Sequence, residues 1–206
     1  MLWHRQEKSS PQAGKNMHSD IRPQLRKHYQ NEPLKLRQHV ERVVALALEL
    51  ACVHSVDLVD VETAALGHDL FRSRSAEFYR QKAREYGLSR PDYEEFPLMY
   101  HGPLAAAYMR ETFEYHHWPV LQAVAEHTNL SGQSALNPIA QILFLADKLE
   151  PGKGKPYQDE LTALARQSLP VAVYQLCGLM ADYMAGQGSF AVPHDLLEAR
   201  QVLAAP

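Results

Sequence analysis

Six side chains able to bind a metal are spaced along this chain where predicted helices would have to meet: His39, His68 with Asp69, His101, His127 and Asp147. Taken singly, none says much. A His-Asp dipeptide arises often by chance, and a lone His on an apolar helix is more often a hydrogen-bonded core or surface residue than a ligand. The series weighs more, because several of its members sit at the end or on the inner face of a helix whose other residues on that face are apolar. Imidazole and carboxylate are the groups that divalent Mn, Fe, Co, Ni and Zn accept. A carboxylate closing an apolar face also needs a partner. The pattern therefore predicts an all-α chain whose helices converge on a metal centre, with hydrolysis as its chemistry.

The helices are bounded by recognisable signals. From Pro33, His39, Val43, Leu46 and Leu50 recur at helical spacing over about five turns, with His39 the only polar member of the buried stripe. Asp60 can cap a second helix leading into Gly67-His68-Asp69, where Gly67 would let a neighbouring backbone approach. Adjacent helical residues point about 100° apart, so His68 and Asp69 can serve one centre only where the helix end turns into the site. A charged helix is predicted from Ser75 to Tyr86, stopping at Gly87, followed by a loop from Pro91 to Tyr100. Gly102-Pro103 opens the next helix and puts His101 at its N-terminus. Pro119 starts another, carrying Val120, Val124 and His127. Asn137-Pro138 is a good N-cap and first-position pair for a helix with Ala140, Leu143 and Asp147 on one face. A long helical stretch from Pro156 is broken at Pro170, Gly186 to Ser189 is a turn, and Asp195 to Leu203 is a final short helix. Strand alternation and internal repeats are absent.

The first 31 residues are polar and irregular, with Ser9-Ser10-Pro11 and Gly14 breaking any periodicity. Residues 1–31 are expected to be a mobile extension, within which Ile21 to Tyr29 could dock as a short helix, and residues 32–206 a single domain. A net charge of −3 favours neither nucleic acid nor an anionic membrane. Phosphate binding must then be local, through a metal or a few Lys and Arg. Cys52 and Cys177 match no CxxC spacing and read as small buried apolar residues in a reducing compartment. With no span of roughly 18 apolar residues and no secretory run, the expected location is the cytoplasm.

The order His, His-Asp, His, His, Asp resembles the HD-domain phosphohydrolases. Tyr100-His101-Gly102-Pro103-Leu104-Ala105-Ala106, Glu126-His127-Thr128 and the run from Ile142 through Ala146-Asp147-Lys148-Leu149-Glu150-Pro151-Gly152 to Lys153 are similar to the YqeK-like branch, symmetrical hydrolases of bis(5'-nucleosyl) tetraphosphates. The resemblance covers about Leu34 to Leu203 and implies an HD-domain helical bundle around a central metal site. It implies that His39, His68, Asp69 and Asp147 hold one metal, and that Asp69 also reaches a second metal held by His101 and His127. It further implies a small nucleotide as the substrate, diadenosine tetraphosphate cut to two ADP. Two departures concern nucleotide preference: Gly67-His68-Asp69-Leu70-Phe71-Arg72 stands where relatives commonly show Leu-His-Asp-Tyr-Ala-Lys, and the loop Asn129 to Leu136 differs.

Hydrolysing a phosphoanhydride means bringing hydroxide to a phosphorus ringed by negative oxygens. Two metals answer both difficulties, ionising a bridging water near neutrality and neutralising the oxygens that gain charge. Asp69, Arg72 and Lys148 are the candidate catalytic residues; Arg72, Lys148 and Lys153 are candidates for holding the nucleotide's phosphates. A thiolate-free ligand set favours iron, or manganese, over structural zinc, with cobalt, nickel and catalytic zinc still open. Neutral imidazoles are needed for ligation, so activity should collapse as pH falls through about 6.5. Two alternatives remain: an HD-type phosphohydrolase acting on a nucleotide monoester or cyclic nucleotide, and a nucleotide-binding module without turnover. A homodimer is left open. His4, His18, His28, His54, His116, His117 and His194 are expected at the surface, and Cys177, Met180 and Met184 in the core.

Overall fold

The structure, a computed structural model, describes residues 19–187 and 192–204. Among them are eleven α-helices: α1 (Arg22–His28), α2 (Leu34–Val53), α3 (Leu58–Gly67), α4 (Ala76–Glu85), α5 (Pro91–Glu95), α6 (His101–Thr112), α7 (Trp118–Glu126), α8 (Pro138–Leu149), α9 (Gln158–Gln167), α10 (Leu169–Gln187) and α11 (His194–Leu203). No strand occurs among the described residues. None of their helices is long and apolar enough to cross a membrane.

α8 is the axis of the bundle. Every residue from Ile139 to Asp147 is buried, so the apolar surface wraps the whole helix instead of forming the single face expected from Ala140, Leu143 and Asp147. A helix apolar all round must be covered on all sides, and α2, α3, α7, α9 and α10 pack against it. The Asn137 side chain caps it, accepting from Ile139 N at 3.0 Å, while its amide donates to Pro119 O at 2.8 Å and ties α8 to the start of α7.

Four boundaries differ from the sequence expectation. The cap of α3 is Asp57, whose carboxylate accepts from Val59 N and Asp60 N; Asp60 sits in the first turn and pairs with His117 at 3.0 Å. The stretch expected as a loop, Pro91 to Tyr100, winds into the short α5 and a 3-10 turn, Pro97–Tyr100, each opened by a proline. The long stretch after Pro156 splits as expected, but at Ser168 instead of Pro170. α10 continues to Gln187, into the predicted turn at Gly186 to Ser189, the rest of which lies outside the described residues. At the N-terminal end Ile21, Leu25 and Tyr29 are buried in the main core, so α1 does dock. Ser9-Ser10-Pro11, Gly14, His4 and His18 lie outside the described residues.

Candidate metal centre

Helix ends build the site. His39 comes from the second turn of α2, His68 caps the C-terminus of α3 with Asp69 behind it, His101 opens α6, His127 caps α7, and Asp147 lies in the last turn of α8. All six come together. His39, His68 and Asp147 form one group and Asp69, His101 and His127 another, each with its ligand atoms within 4.8 Å of one another. Asp69 joins them: Oδ2 lies 3.5 Å from the Nε2 atoms of both His39 and His68, while Oδ1 lies 3.3 Å from His101 Nε2 and 3.7 Å from His127 Nε2.

Three of the four imidazoles are aimed by the same local device. At the ends of α3 and α7 the last carbonyls have no amide partner within the helix, and a ring that folds back three residues can supply one; at Leu98 O the ring adds to the bond from His101 N. His68 Nδ1 donates to Ala65 O at 2.7 Å, His101 Nδ1 to Leu98 O at 2.6 Å and His127 Nδ1 to Val124 O at 2.8 Å. A carbonyl can only accept, so each Nδ1 carries a proton and, in the neutral ring, each Nε2 presents a bare lone pair inward. His101 Nε2 and His127 Nε2 are only 2.9 Å apart, and His68 Nε2 and His39 Nε2 are 3.4 Å apart. The two lone pairs of the His101–His127 contact repel unless a cation lies with them. The donor set thus fits divalent cations that accept imidazole and carboxylate together.

His39 is anchored differently, and here sequence reasoning missed a residue. Its Nδ1 bonds to Glu150 Oε1 at 3.1 Å, and Glu150, 2% exposed, also accepts from the Arg42 guanidinium and from Gly152 N. Glu150 lies one helical turn after Asp147, so spacing alone could have raised it. A carboxylate behind a ligand imidazole fixes its orientation and makes it a stronger donor.

Burial and charge divide these groups by proton affinity. Burial drives His127 well below the usual imidazole range, helped by His101 and His68. Burial lowers His68 as well, against the pull of Asp69 and Asp147. At His39 burial also acts downward, but the hydrogen bonds with Asp147 and Glu150 prevail and raise it. Burial would raise both aspartates; instead the His68, His101 and His127 rings hold Asp69 below the ordinary carboxylate range, and Lys148 and His39 do the same for Asp147.

The three expected cationic groups stand at the rim. Lys148 Nζ donates to Asp147 Oδ2 at 2.5 Å and to His127 O at 3.3 Å; Lys153 Nζ is 3.5 Å from Asp147 Oδ1. Arg72 Nε lies 3.9 Å from Asp69 Oδ2, with the side chain 43% exposed. Of the remaining histidines, His116 and His194 are exposed. His28, His54 and His117 depart from the surface expectation: each is half-buried, the first two bonded to Leu70 O and Ala165 O and the third paired with Asp60.

Comparison with known proteins gives consistent matches. The HD domain family model matches residues 36–152. Three bacterial relatives carry the name symmetrical bis(5'-nucleosyl)-tetraphosphatase. The Staphylococcus aureus protein is 29% identical over 70% of this chain and 74% of its own length. For Halalkalibacterium halodurans the figures are 31%, 66% and 72%, and for Bacillus subtilis 27%, 66% and 73%. A crystal structure from Clostridium acetobutylicum, described as a predicted HD superfamily hydrolase involved in NAD metabolism, superposes with a TM-score of 0.81 over 88% of this chain and 95% of that one. At 22% identity it is evidence for the fold.

Proposed function

The chain belongs to the HD domain family and is a metal-dependent phosphohydrolase, and we propose that it cuts diadenosine tetraphosphate symmetrically, releasing two ADP. The observation that carries this reading is the pair of facing three-ligand groups joined by Asp69. The relatives' shared name supplies the substrate.

His39, His68 and Asp147 would hold one divalent cation and Asp69, His101 and His127 the other, with the second oxygen of Asp69 turned to the first group. Bound there, two such cations supply a water that ionises near neutral pH and a counter-charge for the phosphoryl oxygens. The ligands contain no thiolate, which suits iron or manganese better than a closed zinc site. The protein's own contribution is orientation and charge. Asp69 fixes the distance between the two groups, and the carbonyl-anchored imidazoles keep their lone pairs inward without reorganising. Arg72 beside Asp69, and Lys148 and Lys153 beside Asp147, are the cations available to the phosphates of the departing diphosphate.

The test is product analysis. Purified protein loaded with Fe or Mn should turn diadenosine tetraphosphate into ADP alone. ATP plus AMP would mean attack at a different phosphorus, and faster turnover of a nucleotide monoester or cyclic nucleotide would replace the substrate.

A further inference from the structure

Five polar side chains of the segment ahead of α2 reach one destination. Arg22 and Arg26 pair with Glu62 on α3. Tyr29 Oη donates to Leu66 O at 2.9 Å, and His28 Nε2 donates to Leu70 O at 2.7 Å. The Glu32 carboxylate, 8% exposed, accepts from Ser73 Oγ and from Arg74 Nη2, the latter at 2.6 Å. These partners lie on α3 or in the turn that follows His68–Asp69, and the five side chains that reach them all precede residue 36, where the match to the family model begins.

That turn needs outside support. α3 ends at Gly67, so the carbonyls beyond it lose regular helical partners and must find others. His28 takes Leu70 O; Tyr79 Oη donates to Phe71 O at 2.7 Å and reaches Arg72 O at 3.3 Å. Within the turn, Arg72 N bonds to Asp69 O and Arg74 N to Phe71 O, both at 3.0 Å. Arg72 sits between these supports with its guanidinium at the rim of the metal centre. A buried carboxylate is tolerated only with charged or hydrogen-bonding partners; the hydrogen-bond partners of Glu32 are the two residues immediately after Arg72, and His28 Nε2 lies 3.9 Å from its Oε1.

We infer that Glu32, assisted by His28, is a positioning residue: it clamps the turn after His68–Asp69 and thereby sets where Arg72 meets the phosphates of the substrate. The last clause rests on the role proposed above for Arg72. The physical gain is preorganisation, because a phosphate-binding side chain hung on a fixed backbone loses less freedom when substrate arrives.

Hydrogen–deuterium exchange on the full chain with metal bound tests the clamp directly. In Glu32→Ala, amides 70–75 should exchange about ten-fold faster, while α6 and α7 keep their protection and metal content is unchanged. Glu32→Gln, which retains an acceptor for Ser73 but loses the charge opposite Arg74, should fall between, and it serves if the alanine variant does not fold. With diadenosine tetraphosphate, kcat and kcat/KM should fall several-fold, because Arg72 meets the departing diphosphate, and the fall should vanish in an Arg72→Ala background. Unchanged exchange over 70–75, or a kcat penalty that simply adds to that of Arg72→Ala, overturns the inference. If the wild type does not cleave this substrate, the functional proposal fails separately, and the exchange comparison still decides whether Glu32 holds the turn.

Discussion

Asp69 is the residue on which the centre turns, because its two oxygens face different groups of imidazoles. Asp69→Ala should therefore empty both cation positions together, as elemental analysis of protein purified without chelators would show; retention of one cation would contradict the shared role. Glu150→Gln acts at one remove. It weakens the bond that orients His39, and loss of such a partner commonly costs about 10–100-fold in metal affinity, measurable by chelator competition. The proton affinities add a pH dependence. His39 is raised, so in the metal-free fold its proton is stabilising below about pH 6.5 and that contribution is lost as pH rises through the raised value. His68 and His127 are lowered, so as pH falls below about 6.5 the unfolded chain takes up protons that the fold excludes, and stability drops. Ligation requires unprotonated imidazole. A cation bound by His39 must then displace a proton that this ring holds more tightly than a free imidazole does. Metal content after dialysis at about pH 6 should be lower than at about pH 8, with activity following it. Equal content at both would sink this account.

At the scale of elements, the site depends on how closely α6 and α7 approach. A Cβ on Gly102 would lie 2.8 Å from Ala125 O, 3.0 Å from Val124 O and 3.1 Å from His127 Nδ1. Gly102→Ala must push the helices apart at the point where His101 and His127 meet. It should cost about 1–3 kcal/mol in denaturant unfolding and weaken the second cation position. Gly67 was expected to admit a neighbouring backbone; its close neighbour is instead the Met109 side chain, with Sδ 2.6 Å from an added Cβ. A flexible thioether can move, so Gly67→Ala should be milder than Gly102→Ala in the same assay. Most helices were legible from caps and prolines: Asn137-Pro138 for α8, Ser75 and Gly87 around α4, the break near Pro170. The short α5 was not, because five residues hold too little periodicity to stand out. The docking of α1, raised in the sequence for Ile21 to Tyr29, comes from Ile21, Leu25 and Tyr29 joining the main core.

For the whole molecule, cations bound at the centre would add to what holds the helices together. Four imidazoles and two carboxylates converge between α2, α3, α6, α7 and α8, and a ligand present at about a hundred times its Kd adds about 2.7 kcal/mol to the folded state. For a chain of this size, chelation should lower Tm by about 5–10 °C, reversibly on adding metal back; an unchanged Tm would remove the cations from the structural account. His116→Ala, at an exposed position, should leave both Tm and activity near wild type. The sequence by itself determined the helices, the apolar character of their inner faces and the identity of the six converging groups, since spacing and residue chemistry are local properties. Only the tertiary structure decided that Asp69 turns one oxygen to each group, that Glu150 stands behind His39, and that His28 and Glu32 bond to the turn carrying Arg72. Those facts depend on which surfaces meet when helices distant in the chain pack around α8. A one-dimensional pattern specifies that such surfaces must be buried, not which side chain will face which.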